Sequence, residues 1–184
     1  MSDARIKIPA ELFATAESSH FEGELVRDVL VAGVDELVFE GPLTWEVDVT
    51  NTDGALLVMG NVQVQARTAC ARCLEDVRLD LDGEIEGWFL ISADGAAPDY
   101  VDEDELDVLP ADHIIDLEPL ITAALMLEMP NPPLCSDDCR GLCPQCGANL
   151  NEGDCGCGED PGLSAFDKAA NPFAALANFD FGTE

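Results

Sequence analysis

At 184 residues the chain has room for one domain of moderate size with a small appended module. An apolar fraction of 47% calls for a real core and excludes wholesale disorder. With 38 acidic against 8 basic side chains, net −30, the chain as a whole repels phosphate; a basic protein partner or a salt-rich cytosol suits it at least as well as naked nucleic acid, and any RNA contact is confined to a local patch.

Arg5-Ile-Lys-Ile-Pro9 alternates and reads as a short edge strand. Between residues 17 and 36 the pattern is ambiguous: Val29–Ala32 fits a strand or a helix. From Leu43 the period is two, with Trp45, Val47 and Val49 alternating with Thr44, Glu46, Asp48 and Thr50. Asn51-Thr-Asp-Gly54 supplies a turn, and a second run puts Val58, Gly60, Val62, Val64 and Ala66 opposite Met59, Asn61, Gln63, Gln65 and Arg67. Beyond Cys70-Ala-Arg-Cys73 a third run sets Val77, Leu79, Leu81, Ile85 and Phe89 against Arg78, Asp80, Asp82, Glu84 and Glu86. Three such runs joined by short turns predict an antiparallel meander with one wet face.

Residues 92–113 contain no Lys or Arg and include Asp102-Glu-Asp-Glu105, the composition of a solvated acidic loop. Asp116 then suits a helix cap, with Glu118 and Pro119 in the first turn of a helix running to Met129. Leu117, Leu120, Ile121, Ala124 and Leu125 form one apolar face and Met126, Leu127 and Met129 another, so the helix is expected to be buried on both sides, against the sheet and beneath the cysteines. Pro130-Asn-Pro-Pro133 ends it. Near the C-terminus, Asn171-Pro-Phe-Ala-Ala-Leu-Ala-Asn-Phe179 reads as a short amphipathic helix.

Six of the eight cysteines, Cys135, Cys139, Cys143, Cys146, Cys155 and Cys157, follow the prolines in one stretch. At its centre Cys143-Pro-Gln-Cys146-Gly147 has the form of a zinc knuckle: two thiolates spaced to face one ion, and a glycine that lets backbone amides approach the sulfurs. Cys139 on one side and Cys155 or Cys157 on the other complete a four-thiolate set, with Cys135 as a substitute. A disulfide-stapled loop is the competing reading. Met1–Leu12 holds no apolar run of signal-peptide length and no stretch is long enough to span a bilayer, so a cytoplasmic setting with reduced thiols is expected, and it favours metal. Cys70 and Cys73 are either a second knuckle, completed by Cys135 and a leftover cysteine, or a reduced structural pair.

Arg67, Arg72 and Arg78 flank the Cys70–Cys73 turn and form the best candidate for an RNA contact, ion pairs with neighbouring acids being the plain alternative. His20 and His113 are isolated, and no nucleophile–base arrangement or phosphate loop is present. A closed all-sulfur site leaves no open position for water, so it points to structure rather than hydrolysis. The expected fold is α+β: an antiparallel meander packed with one main helix over 1–133, a small cysteine-rich zinc-knuckle module over 134–160, and a linker with a short terminal helix over 161–184.

Cys70-Ala-Arg-Cys73-Leu74-Glu75, the helix from Asp116 to Met129 running into Pro130, Cys139-Arg-Gly-Leu-Cys143-Pro-Gln-Cys146-Gly-Ala-Asn-Leu-Asn151 and Asn171-Pro-Phe-Ala-Ala-Leu together resemble the YceD family, the large-subunit ribosomal RNA accumulation proteins, in the cysteine-rich form of Gram-positive and related bacteria. The resemblance implies a non-enzymatic bacterial cytoplasmic factor for accumulation or processing of large-subunit ribosomal RNA. Its implied partners are a pre-ribosomal large-subunit particle, a basic ribosomal protein or the RNA itself. From another class, a zinc-thiolate redox sensor or chaperone fits the same cysteines.

Overall fold

The computed structural model describes residues 4–33, 35–52, 54–92 and 106–157. The expected tail helix at 171–179 and the acidic run at 102–105 lie outside these residues. The chain divides into two compact units, Met1–Cys139 and Arg140–Glu184, so the division falls inside the cysteine stretch, between Cys139 and Arg140.

The first unit contains β1 (Arg5–Lys7), a 3-10 turn (Ala10–Phe13), β2 (Ser18–Leu25), β3 (Val29–Ala32), β4 (Asp35–Phe39), β5 (Leu43–Asn51), β6 (Ala55–Ala69), β7 (Asp76–Leu90), β8 (Leu106–Val108), β9 (Ile114–Asp116) and α1 (Glu118–Glu128). It is a mostly antiparallel sheet with one main helix. The β5–β6–β7 meander is its spine. Asn51 pairs with Leu56 and Thr44 with Gln63 across the first hairpin, and Ala55 pairs with Leu90 and Ala69 with Asp76 across the second. Alternation made these strands legible, and the burial follows it: Trp45, Val47, Val49, Val58, Val62, Val64, Ala66, Leu81, Ile85 and Phe89 share the core.

The structure resolves the ambiguous stretch before Leu43 into strands. β2 pairs with β5 along its whole length, and β4 joins β6 at Val38–Arg67 and Phe39–Ala66. Val29–Ala32 is a strand, bound to β4. β1 pairs with β9 in a separate two-stranded sheet rather than edging the main one. β8 forms inside the stretch read as an acidic loop and pairs with β7 in parallel.

α1 crosses β7 on the core side. A Cβ at Gly83 would stand 2.9 Å from the Ala124 carbonyl carbon, and one at Gly87 2.6 Å from Leu120 Cδ1. Gly83 is therefore required for the helix backbone to sit this close, whereas at Gly87 the Leu120 side chain could turn aside. Leu117 holds the cap position, while the carboxylate of Asp116 accepts from the Glu118 amide at 3.0 Å. Ile121, Ala124 and Leu125 are buried, but Met126 and Leu127 are 47% and 84% exposed. Of the second apolar face expected of this helix, Met129 packs against the core, while Met126 and Leu127 are left largely uncovered by the described residues.

The opposite face of the sheet is wet and acidic. Glu22, Glu24, Glu46, Asp48, Asp80, Asp82, Glu84 and Glu86 all stand exposed around the central Asn61, Gln63 and Gln65 of β6. Gln63 and Gln65 donate to Asp82 and Asp80 at 3.1 and 2.9 Å.

Candidate metal centres

β6 and β7 are joined by a knuckle. Within it the Leu74 amide donates to the Cys70 carbonyl at 2.9 Å, the Cys70 amide to the Glu75 carbonyl at 2.8 Å, and the Arg72 amide to Cys70 Sγ at 3.5 Å. The chain leaving α1 returns past this turn, where the Ala71 amide donates to the Pro133 carbonyl at 2.8 Å. That contact brings Cys135 and Cys139 over the knuckle. Cys70 Sγ lies 3.8 Å from Cys139 Sγ, and Cys73 Sγ lies 3.5 Å from Cys135 Sγ. All four sulfurs fall within 4.8 Å of one another. Thiolates around one ion at metal–sulfur bonds of about 2.3 Å stand ~3.8 Å apart, so the donor set fits a tetrahedral cation. Cys70, Cys73 and Cys139 are buried and Cys135 is exposed.

In the second unit the same local geometry recurs. The Gly147 amide donates to the Cys143 carbonyl at 2.8 Å, the Cys143 amide to the Ala148 carbonyl at 2.8 Å, and Leu142 bridges to Asn149. The Asn151 side chain accepts from the Arg140 amide at 2.8 Å and closes the turn. Cys143, Cys146, Cys155 and Cys157 form the second group within 4.8 Å. Cys143 is buried, Cys155 and Cys157 are half-buried and Cys146 is exposed.

The thiols behave as neighbours competing for one negative charge. Burial pushes Cys70 up, but the amides of Cys73, Arg72 and Cys135 outweigh it and lower that thiol to about 6. The Glu75 amide favours a Cys73 thiolate, yet burial and the sulfurs of Cys70, Cys135 and Cys139 push Cys73 up to about 12. In the second group the amides of Cys146 and Gln145 lower Cys143 to about 6, while the sulfurs of Cys146 and Cys155 push Cys157 up to about 12. One thiolate forms readily and the next resists. A dication among the four would relieve that repulsion and let all of them ionise.

The sequence reading placed Cys139 with Cys143, Cys146, Cys155 and Cys157; the structure gathers it with Cys70, Cys73 and Cys135. The signal in the sequence is pairing: each group consists of two short-spaced cysteine pairs, Cys70/Cys73 with Cys135/Cys139 and Cys143/Cys146 with Cys155/Cys157. Arg67, Arg72 and Arg78 do share one end of the meander, but all three have partners in the chain. Arg67 lies 2.8 Å from Glu40 and 3.8 Å from Asp76, and Arg78 lies 3.9 Å from Glu40. Arg72 donates to the carbonyls of Cys139 and Asp137 at 3.0 and 3.3 Å, clamping the loop that carries the last two sulfurs. That role for Arg72 was not visible in sequence.

The model of the large ribosomal RNA subunit accumulation protein YceD matches residues 58–180, a span that contains most of β6 and all of β7, α1 and both cysteine groups. An uncharacterized protein of Mycobacterium tuberculosis is 38% identical over 142 residues, covering 77% of this chain and 65% of its own length. The chain thus spans about two-thirds of that mycobacterial relative. A chloroplastic large ribosomal RNA subunit accumulation protein YCED homolog 1 of Zea mays is 30% identical over 135 residues, 60% of this chain and 46% of that protein. Its Arabidopsis thaliana namesake is 38% identical over 58 residues, 32% of this chain and 18% of that protein. No solved structure matches. The match over residues 58–180 places this chain in the YceD family.

Proposed function

We propose that this protein is a non-enzymatic factor supporting large-subunit ribosomal RNA accumulation and large-subunit assembly in the bacterial cytoplasm, with zinc as a structural ion at both cysteine groups. The observation that carries the reading is the family match across most of the β6–β7 hairpin, the helix and both groups. Cys70, Cys73, Cys135 and Cys139 would hold one ion, and Cys143, Cys146, Cys155 and Cys157 the other. With zinc bound, the four cysteines of each group would be held as thiolates and the segments that carry them would be cross-linked.

The partner in this reading is a basic ribosomal protein within a precursor particle. Its support is the net charge of −30 and the eight exposed carboxylates on the open sheet face. RNA contact is subordinate. Arg72 serves the first cysteine group and Arg67 is held by Glu40 and Asp76, so the sequence-derived patch reduces to Arg78, whose side chain is 81% exposed. Among the described residues no helix is long and apolar enough to cross a membrane.

Depleting the protein in its host, with ribosome gradients and mapping of large-subunit RNA ends, tests the reading. Loss or immaturity of that RNA, with the protein co-sedimenting with the affected particle, is expected. Normal RNA ends and normal particles would refute it.

A further inference from the structure

The two knuckles place different residues in one conformation. In each, the residue after the second cysteine donates its amide to the carbonyl of the first, at 2.9 Å for Leu74 and 2.8 Å for Gly147. In each that residue is left-handed, with φ of 63° at Leu74 and 74° at Gly147. Glycine takes this conformation without penalty, whereas a leucine Cβ crowds the following carbonyl. A Cβ at Gly147 would meet nothing within 4 Å, so what separates the two turns is backbone strain and not room for a side chain. Leu74 therefore carries a backbone cost that glycine avoids in the sister turn. Packing within the chain recovers little of it, because Leu74 is 66% exposed. Of the other two described non-glycine residues at positive φ, Ala16 is small and His113 rests its ring 4.9 Å from that of Phe13.

Leu74 does not stand alone. Gly87 lies beneath Leu120 and Gly83 beneath Ala124, so α1 runs antiparallel to β7 and its last turn points to the knuckle end of that strand. Met126 and Leu127 are the exposed apolar residues of that turn. Exposed acids accompany these side chains: Glu75 and Asp76 follow Leu74 directly, and Glu128 follows Leu127. A strained residue with an exposed apolar side chain is a feature of binding sites, where the contact made by the side chain offsets the strain.

We propose that Leu74 is a docking anchor: it enters an apolar socket on a basic protein, with the flanking carboxylates Glu75 and Asp76 facing the partner's Lys and Arg side chains. Charge decides the class of partner. The acids Glu75 and Asp76 follow Leu74 directly, whereas Arg67 is paired with Glu40, Arg72 is taken up by the Cys139 and Asp137 carbonyls, and Arg78 lies 3.9 Å from Glu40. No aromatic side chain is among the exposed large hydrophobic residues described, so the stacking platform single-stranded RNA uses is lacking here. The inference rests on the assembly reading for where that protein resides, and on geometry alone for the anchor.

Two measurements on the full chain test it. Leu74→Gly and Leu74→Ala, loaded with zinc, are compared with the parent for binding to purified large-subunit precursor particles and for metal content and thermal midpoint. Both variants should bind at least tenfold more weakly with two metal equivalents retained, and Leu74→Gly should melt at or above the parent. Unchanged binding, or loss of metal or stability in Leu74→Gly, would overturn the anchor. In the second, a diazirine analogue of leucine at position 74 is photolysed in host cells and the product identified. A cross-link to a basic protein sustains the proposal; a cross-link to RNA, to an acidic protein or to nothing overturns it. Should the parent fail to bind the particles, the assembly reading fails, and the cross-link decides the anchor by itself.

Discussion

Removing one sulfur from each group should have very different consequences for the β-rich unit. Cys73 and Cys135 are 62 residues apart, with sulfurs 3.5 Å apart. An ion holding them closes a long loop that includes β7, β8, β9 and α1. Treating the metal link like any cross-link, a loop of that length restricts the unfolded chain by about 4 kcal/mol. Cys143 to Cys157 closes a much shorter loop, worth about 3 kcal/mol and felt only within its own unit. Cys73→Ser should therefore lower the stability of the β-rich unit by about 4 kcal/mol, roughly 12–16 °C in Tm for a unit of this size. Cys146→Ser should leave that transition in place. Both tryptophans, Trp45 and Trp88, belong to this unit, so fluorescence-monitored unfolding in guanidinium reports on it selectively. Native mass spectrometry should count two metal ions in the parent and one in each variant. An equal loss of the tryptophan transition in both variants, or none in Cys73→Ser, would refute the argument that only the first group links distant segments.

Three further outcomes follow from individual contacts. Gly83→Val should push against the Ala124 backbone, 2.9 Å from where its Cβ would lie, and destabilise the unit by about 1–3 kcal/mol, read as a lower guanidinium midpoint. Asn51 is 3% exposed, donates to the Leu12 carbonyl at 2.8 Å and accepts from the Gly54 amide at 3.2 Å; Asn51→Ala should cost about 1–3 kcal/mol in the same assay because buried partners lose their bonds. In the metal-free chain, ultraviolet thiolate absorbance should rise near pH 6 as Cys70 and Cys143 ionise, and that step should shrink in Cys70→Ser and in Cys143→Ser. The sign is that of a lowered thiol: the stability these two thiolates add is present above about pH 9 and lost as pH falls through about 6.

The legibility of the chain tracks how local each determinant is. Strands β5 to β7 could be read because one face is buried and the other wet, so hydrophobicity carries the strand period directly. β2, Ser18-Ser-His-Phe-Glu-Gly-Glu-Leu25, could not: only Leu25 is fully buried, and Gly23 stands where Trp45 fills the space a side chain would need. Its strand state comes from pairing with β5, a tertiary cause. β8 and β9 are three residues each, too short for a period to show. The exposed side of α1 illustrates the opposite error. Met126 and Leu127 look like core residues in sequence, but burial depends on what lies across from them, which composition does not encode.

The cysteines show the same limit at the scale of a site. A knuckle is local, so Cys143-Pro-Gln-Cys146-Gly147 could be recognised without a fold. Its completion is not. Cys139 lies four residues from Cys143 along the chain, yet its sulfur meets Cys70, because α1 returns the chain to the β6–β7 turn and the Pro133 carbonyl takes the Ala71 amide there. Arg72 then fixes the returning segment through the Cys139 and Asp137 carbonyls. Eight thiols in one chain are thus sorted into two fours by the path of the backbone rather than by spacing. The consequence is a division of labour. The group that joins β6–β7 to the segment after α1 bears on the stability of the β-rich unit, and it places Leu74 at that unit's surface. The group of Cys143, Cys146, Cys155 and Cys157 folds only the turn that contains it. A member lacking the second group could still keep the anchor and its support; a chain lacking the first could not.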